Sequence, residues 1–529
     1  MMGDTMVKRQ TRRSFSAIVK DFSEKTTAHG INQIYSAQNY IWRTLWILAF
    51  LTSFGMLIFQ ASTLIMTYMN KPVQSTIDVS YSETITFPMV TICNLNAIKN
   101  SKMHSFPDIH QLFMKYKAQA KSNNTMNETS LGMDKEKKNV MKEKLSMNDG
   151  SQPFLSDVEM DPDELVQDEL LSILSDQNRK LLIQSGHGFE EMIFRCSWFG
   201  FSCNEGDFLK YWRRGWNWRY GNCYTFNAGV SENGSHVPPL NISKPGPMFG
   251  LTLDLYINQE EYVGVLSQEA GVKVLLTDQR QIPFPFTHGF TVSPGSSASI
   301  GVRKFVIERI DPFHNNSCYN GDSLEAYSIY KDIKGASYSV QGCMNSCLGN
   351  KQRLLCNCTE GKYRTESTGN VCLSNTKVAC VMDVTKAYQN GSLGCSDQCP
   401  QACRYETYRT TISSSQWSEK YQEDFMRKIM KSKRGFSPKM HTDENEMRKN
   451  FLRLKIFFDE LNLESITYSR SYPIESLLGD IGGQLGLWVG ISAITCCEIF
   501  KLLLDMASYL WKKIVIREEK RAIRDLALT

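Results

Sequence analysis

The sequence predicts an α+β membrane protein in which two membrane-spanning helices flank a large, disulfide-rich extracellular domain. Three observations predict it: two long apolar runs near the ends of the 529-residue chain, basic clusters outside both runs, and cysteines concentrated between them. Charged residues make up 22% of the chain and the net charge is +5. Because the positive charge sits beside the apolar runs, it does not indicate nucleic-acid binding.

The first apolar run, residues 45–69, contains 25 residues without a charge. At 1.5 Å per residue it forms about 37 Å of helix, enough to cross a bilayer core of about 30 Å. It is too long and too far from Met1 for a signal peptide, and no small-residue cleavage site follows it. We therefore predict a first transmembrane helix over residues 41–69.

The second apolar run, residues 481–497, carries glycines at every fourth position, Gly482, Gly486 and Gly490. A small-residue stripe on its own is more typical of a helix-packing face. The flanking acids favour a different interpretation, a pore-lining helix over residues 473–507.

Three acids are placed along this second run at near-helical spacing. On a straight helix, Asp480, Glu498 and Asp505 would share one face, since they are 18 and 25 residues apart, close to whole numbers of turns. Acids inside a membrane segment are costly and usually line an ion path.

Both ends of the chain are basic. Six lysines and arginines against three acids precede residue 40, and six against three follow Trp511. The positive-inside rule then places residues 1–40 and 508–529 in the cytoplasm and residues 70–472 outside the cell, as expected for a multi-pass protein of the plasma membrane. A lipid-headgroup anchor would explain the same clusters and gives the same topology.

Cysteines and sequons support an extracellular location for the central region. Fourteen of the 16 cysteines lie between Cys93 and Cys403, an even set that predicts disulfides. Pairs such as Cys356 and Cys358 resemble zinc ligands, but no histidine is interleaved and we predict no metal site and no cofactor. All seven Asn-x-Ser/Thr sequons fall between the two runs: Asn123, Asn127, Asn233, Asn241, Asn315, Asn357 and Asn390.

Several segments have a distinct composition. Residues 121–170 predict a solvated insertion, although its clustered acids could attract a cationic ligand. Residues 189–224 hold more aromatic side chains than one small core needs, so some are expected on the surface. Residues 249–310 predict β-strands, and residues 416–431 and 444–461 predict helix followed by strand. The sequence contains no phosphate loop and no nucleophile elbow, so an enzyme is not expected.

These features together resemble the degenerin and epithelial sodium channel superfamily, which includes acid-sensing and peptide-gated channels. The resemblance covers nearly the whole chain and rests on six motifs in order. They are His29-Gly30, Phe87-Pro88-x-Val90-Thr91-Ile92-Cys93-Asn94, Gly221-x-Cys223-x-x-Phe226-Asn227, Val292-x-Pro294-Gly295, the cluster Cys395/Cys399/Cys403, and residues 477–492.

The resemblance implies a homotrimer or a heterotrimer whose subunits have a palm sheet, a β-ball, a knuckle, a finger at about 97–220 and a thumb at about 311–405. It implies a pore that prefers sodium ions and is blocked by amiloride-type drugs. The filter falls on Gly490, Ile491 and Ser492, where the second span is expected to break. Such a break would disturb the straight-helix register assumed for the acids.

Further residues take roles from the same resemblance. It implies a gate at Gly479, a pore lining that includes Asp480, Gly483, Leu487, Glu498 and Asp505, and a cytoplasmic gating motif at His29 and Gly30. It also implies the disulfides Cys93–Cys223, Cys196–Cys203, Cys318–Cys403, Cys343–Cys399, Cys347–Cys395, Cys356–Cys380 and Cys358–Cys372.

The stimulus is the open question. The chain is most similar to invertebrate channels opened by FMRFamide-type neuropeptides. Lys71-Pro72-Val73 stands where acid-sensing members carry a histidine, and Phe313 or His314 replaces a tryptophan, which weakens proton gating.

A cationic, aromatic peptide needs apolar slots beside a carboxylate. The candidate docking residues are Phe189, Glu190, Glu191, Phe194, Trp198 and Phe199. Packing of these aromatics in a core is the alternative interpretation. Competing functions are an acid-gated or constitutively open channel, a two-span adhesion or scaffold protein without a pore, and an ATP-gated receptor, for which no lysine-rich phosphate site is found.

Overall fold

The computed structural model describes residues 15–122, 162–309, 318–319, 328–333, 335–365, 368–418, 420, 424 and 444–526. The chain divides into two compact units. We call residues 1–75 with 468–529 the helical unit, and residues 76–467 the sheet unit.

The described helices, in chain order, are α1 (Phe15–Lys25), α2 (Ile31–Ser36), α3 (Tyr40–Met69), α4 (Pro107–Ser122), α5 (Pro162–Asp176), α6 (Arg179–Ser185), α7 (Phe189–Met192), α8 (Pro285–His288), α9 (Val340–Cys356), α10 (Asn375–Gln389), α11 (Cys395–Gln398), α12 (Glu444–Asn450), α13 (Ile474–Val489) and α14 (Ala493–Leu526). The described strands are β1 (Val73–Tyr81), β2 (Ile85–Thr86), β3 (Met89–Asn94), β4 (Ile193–Trp198), β5 (Phe201–Ser202), β6 (Trp212–Asn217), β7 (Gly221–Phe226), β8 (Asn241–Ile242), β9 (Leu251–Tyr256), β10 (Val272–Thr277), β11 (Phe290–Val292), β12 (Ser296–Arg309), β13 (Cys318–Tyr319), β14 (Gln401–Ala402), β15 (Arg404–Gln416) and β16 (Phe451–Arg470).

In the helical unit, α3 is long and apolar enough to cross a membrane. The pair α13 and α14 meets the same test of length and composition only when counted together as one broken span. α3 and α13 lie side by side, and the indole Nε1 of Trp488 donates to Gln60 Oε1 at 2.7 Å. The same N–H also reaches Gln484 Oε1 at 3.0 Å, so the half-buried indole makes a polar contact to both apolar helices.

Two sheets form the framework of the sheet unit. The seven-stranded sheet has the order β15-β12-β16-β9-β4-β5, with β1 also beside β16, and the five-stranded sheet has the order β11-β10-β3-β7-β6. β12 and β15 pair antiparallel over their whole length, from Ser296 opposite Gln416 to Glu308 opposite Arg404. Every residue of β3 and β7 is buried, so both strands are covered on two faces.

The main core of the sheet unit is rich in aromatic side chains. The ring of Phe87 lies 4.8 Å from Trp198 and 6.2 Å from Phe458, in edge-to-face geometry. Phe87 and Phe458 are completely buried, and each contributes about 1.5–3 kcal/mol by burial.

A buried carboxylate joins three strands of the larger sheet. Asp254 on β9 has no exposed surface and accepts from Arg195 Nε on β4 at 2.7 Å and from Arg453 Nε on β16 at 2.6 Å. Two guanidinium partners compensate the cost of removing this charge from water.

The cysteine-rich region, residues 318–403, is crosslinked around α9 and α10. The structure contains Cys93–Cys223, Cys196–Cys203, Cys318–Cys403, Cys343–Cys399, Cys347–Cys395, Cys356–Cys380 and Cys358–Cys372, the same pairs as the resemblance implies. Cys496 and Cys497 on α14 are free and exposed.

Several sequence predictions can be compared with these elements. The strands expected within 249–310 are confirmed by β9, β10 and β12, and the helix and strand expected within 444–461 are confirmed by α12 and β16. The expectation for 416–431 lies largely outside the described residues. Asn233, Asn241, Asn357 and Asn390 are exposed, as glycosylation requires, whereas Asn123, Asn127 and Asn315 lie outside the described residues.

Two expectations about exposure hold only in part. Most of the predicted solvated insertion, residues 121–170, lies outside the described residues. Its last residues belong to the packed helix α5, where Val166 and Leu170 are 4% and 1% exposed, so the expectation is wrong there. The acids of α5 lie on the face opposite its apolar residues, so the acidic composition of the segment concealed the helical spacing of the apolar residues. Most rings of the aromatic segment are buried or half-buried, with Trp212 at 6% exposure, and the expectation that some lie on the surface is confirmed by Phe201 at 70%.

Candidate ion pathway at a helix break

The second apolar run is broken by signals that the sequence itself carries. α13 stops at Gly490, which adopts a left-handed conformation with φ +66°, and its N–H donates to the carbonyl of Gly486 at 3.1 Å. α14 starts after Ser492, whose Oγ accepts from the backbone N–H of Thr495 at 3.3 Å. A glycine that ends one helix and a serine that caps the next explain why Gly-x-Ser interrupts an apolar segment.

The break changes the direction of the chain by 77°. The straight-helix register, which placed Asp480 on one face with Glu498 and Asp505, is therefore wrong. Glu498 and Asp505 still share a face, because both belong to α14 and lie two turns apart.

The N-terminal segment before α3 contacts the break directly. The backbone N–H of His29 donates to the carbonyl of Val489 at 2.9 Å. A Cβ atom at Gly490 would lie 1.9 Å from His29 Nδ1, so no other residue fits there without movement of the imidazole. The structure thus brings together the predicted gating motif and the predicted filter.

Glu498 is also held by this segment. Its Oε2 accepts from the backbone N–H of Thr27 at 3.0 Å and from Thr26 Oγ1 at 3.2 Å, and Thr27 Oγ1 lies 2.7 Å from Thr495 Oγ1. In this subunit the Glu498 carboxylate is therefore engaged by protein donors. Sequence reasoning missed Thr26, Thr27 and Thr495, although only Ala28 separates the first two from the His-Gly motif.

The other predicted pore residues lie on open surface of the helical unit. A Cβ atom at Gly479 or Gly483 would meet nothing within 4 Å, and Leu487 is 72% exposed. Asp480 accepts from Tyr472 Oη at 2.5 Å. One face of α13 is thus open surface in the part of the chain that the structure describes.

The predicted peptide-docking residues do not form open slots. Phe194 and Trp198 belong to the core at 4% and 6% exposure, and Phe189 packs edge-on against Trp212 at 5.1 Å. Phe199 packs against Trp198 at 5.1 Å. The core interpretation is the one that fits these aromatics, because β4 lies between β9 and β5 in the larger sheet.

The two acids of the same segment differ. Glu191 forms an ion pair with Lys99 and accepts from Asn258 at 3.0 Å. Burial acts to raise the pKa of Glu191, but the hydrogen bonds from Lys99 and Asn258 outweigh it and hold that pKa below its ordinary value. Glu190 is exposed. Of these two acids, only Glu190 is open to a ligand.

The sequence profile of the family described as amiloride-sensitive sodium channel matches residues 22–502, from within α1 to within α14. The chain belongs to the amiloride-sensitive sodium channel family. It is thus a member of the degenerin, epithelial sodium channel and acid-sensing channel superfamily, whose proteins are ion channels rather than enzymes.

The relatives of this chain include epithelial sodium channel subunits and acid-sensing ion channels. It is 24% identical over 559 residues to the alpha subunit of the epithelial sodium channel of Neoceratodus forsteri, covering 96% of this chain and 82% of that protein. It is 27% identical to acid-sensing ion channel 4-B of Danio rerio, covering 93% of this chain and 76% of that protein. Over a shorter stretch, 63% of this chain and 50% of the relative, it is 30% identical to the human epithelial sodium channel subunit beta.

Proposed function

We propose that this chain forms a trimeric, sodium-selective channel of the plasma membrane, with cytoplasmic termini and a pore blocked by amiloride-type drugs. The observation that supports it most is the break at Gly490-Ile491-Ser492, held in place by the His29-Gly30 segment. Three copies of a short non-helical segment would supply a ring of backbone carbonyls and serine hydroxyls to a small cation.

Whole-cell recording from cells that express this chain alone tests the proposal. We expect a current that reverses near the sodium equilibrium potential and that amiloride blocks. A chain that reaches the cell surface and carries no sodium current under any stimulus would contradict conduction by a homotrimer. Co-expression with a related subunit then separates an obligate heterotrimer from a non-conducting adhesion protein.

We propose an FMRFamide-type neuropeptide as the stimulus, on the resemblance to peptide-gated channels. The exposed carboxylate of Glu190 is the one acid of the predicted docking segment without a described protein partner, and the arginine of such a peptide needs a carboxylate. Glu190→Gln should reduce peptide potency about tenfold, while Glu205→Gln, at another exposed site, should not. An unchanged potency in Glu190→Gln would remove this residue from the docking site.

A half-buried pair of carboxyl groups, Asp278 and Glu406, favours a second candidate, gating by acid. Asp278 follows β10, near Glu406 on β15, whose Oε2 lies 2.5 Å from Lys304 Nζ on β12. Burial, and secondly the negative charge of Glu406, raise the pKa of Asp278 to about 6. A carboxyl that titrates near this pH senses mild acidification.

The same current recordings distinguish gating by a peptide from gating by acid. If acid alone opens the channel and Asp278→Asn shifts the half-activating pH by at least half a unit, the acid candidate is correct. If the peptide opens the channel at constant pH 7.4, the peptide candidate is correct.

A further inference from the structure

A cavity of about 560 Å³ lies inside the sheet unit, between the five-stranded sheet and the cysteine-rich region. β6 and the segment 280–287 form one side, and α9 with residues 361–365 forms the other. We call it the basic cavity. Its volume falls within the range of about 300–1,000 Å³ that is typical of small-molecule sites.

The lining of the basic cavity is dominated by positive charge. Among its described residues, one carboxylate, Asp332, stands against five basic side chains, Arg179, Arg213, Arg280, Lys362 and Arg364. Lys362 is neutralised in part by Glu360 at 3.1 Å. Burial lowers the pKa of Arg213, against the opposing effect of Glu232, so this guanidinium carries its charge in a poorly solvated place.

Two hydrogen-bond donors in the lining have no acceptor among the described residues. Trp216 Nε1 and Arg364 Nε are both buried from solvent and unsatisfied. Buried donors are nearly always paired, because leaving one unpaired costs its full desolvation penalty. The guanidinium of Arg179 lies over the Trp216 ring at 5.9 Å and adds a third donor-bearing group beside them.

The rest of the wall is aromatic. Trp218 and Phe286 meet edge-on at 5.5 Å, and Phe284 and Tyr330 meet edge-on at 5.6 Å. These rings offer a surface for a flat apolar body, while the arginines offer the planar geometry that matches a carboxylate.

We propose that the basic cavity is a binding site for an organic anion, an aromatic carboxylate whose oxygens accept from guanidinium N–H groups of the lining, that of Arg364 among them, beside the unpaired buried donors. The aromatic body lies against Trp218 and Phe284. A cationic peptide has the wrong charge for this site, so the anion is distinct from the peptide of the proposed function. The site does not require that the channel conduct.

The test uses two fluorinated probes that differ in charge, 4-(trifluoromethyl)benzoate and 4-(trifluoromethyl)benzylammonium. Each is titrated onto the purified full-length channel in lipid nanodiscs, and line broadening of the fluorine NMR signal gives the dissociation constant. We expect the benzoate to bind and the benzylammonium not to bind. Equal broadening of both probes, or none with the benzoate, would overturn the proposal.

Substitutions in the lining test whether the benzoate binds in the basic cavity. Arg364→Gln should weaken benzoate binding about tenfold, since it removes a charge-assisted hydrogen bond. Trp216→Phe keeps an aromatic ring, removes only the N–H donor, and should weaken binding by a smaller factor. Arg303→Gln, at an exposed arginine paired with Glu460 outside the cavity, is the matched control and should bind as the wild type does. If both cavity variants bind the benzoate like the wild type, the site lies elsewhere.

Discussion

Substitution of Gly490 by alanine should disrupt the contact between the N-terminal segment and the helix break, at a cost that follows from two features. A side chain in the left-handed region costs about 1–2 kcal/mol. The new Cβ atom would lie 1.9 Å from His29 Nδ1, so the imidazole must move, and the hydrogen bond from His29 N–H to the Val489 carbonyl is lost with it. That bond contributes about 0.5–1.5 kcal/mol, so the total is about 1.5–3.5 kcal/mol.

Thermal unfolding of the purified channel, combined with surface labelling, measures this cost. In a His29→Ala background the clash is absent, so Gly490→Ala should cost only the backbone strain, and the double-mutant cycle should give a coupling of about 1 kcal/mol. Gly486→Ala is the control, because its Cβ would meet nothing within 4 Å and alanine favours the helix. If Gly490→Ala behaves like Gly486→Ala, or costs the same with and without His29, the described contact is not the reason for the glycine.

Three further predictions concern individual carboxylates. The pKa of Asp278 is raised from 3.8 to about 6. The protonated carboxyl therefore makes its full contribution to the free energy of unfolding below pH 4, and this contribution is lost as the pH rises through 6. At about 1.4 kcal/mol per pKa unit, Asp278→Asn should stabilise the channel by up to about 3 kcal/mol at pH 7.5 and by almost nothing at pH 4, measured by thermal unfolding at both pH values. Glu498→Ala removes the acceptor for the N-terminal segment, whereas Glu498→Gln keeps an acceptor oxygen. A cysteine introduced at Ala28, which is 5% exposed, should therefore react faster with a thiol reagent in Glu498→Ala than in Glu498→Gln. Both variants are made in a background without the two native free cysteines. Asp254→Ala leaves two arginines uncompensated and should cost about 3–5 kcal/mol, seen as loss of surface expression; normal expression and melting would contradict the role of this ion pair.

The sequence predicted the structural elements that depend on a local pattern of residues. The strands within residues 249–310 and the apolar run that forms α3 can be identified without a structure, because strand and helix periods are local properties. The disulfide pairs followed from the family resemblance and not from spacing, which permits many alternatives.

The features that the sequence did not predict depend mainly on contacts between residues distant in the chain. His29 and Val489 are joined across 460 residues, and nothing in either neighbourhood indicates the other. The straight-helix register failed for a local reason, since Gly490 and Ser492 are a helix stop and a helix start that an apolar composition conceals. The aromatic docking site failed because the same side chains that suit a peptide also suit a core, and burial decided between the two.

We propose that the Gly490-Ile491-Ser492 break selects the permeating ion. The most direct test is the reversal potential with sodium on one side and potassium on the other, for the wild type, Ser492→Ala and the control Gly482→Ala, whose Cβ would meet nothing within 4 Å. We predict that Ser492→Ala lowers the preference for sodium over potassium at unchanged surface expression, while Gly482→Ala keeps it. An unchanged sodium preference in Ser492→Ala would contradict the assignment and place the filter elsewhere.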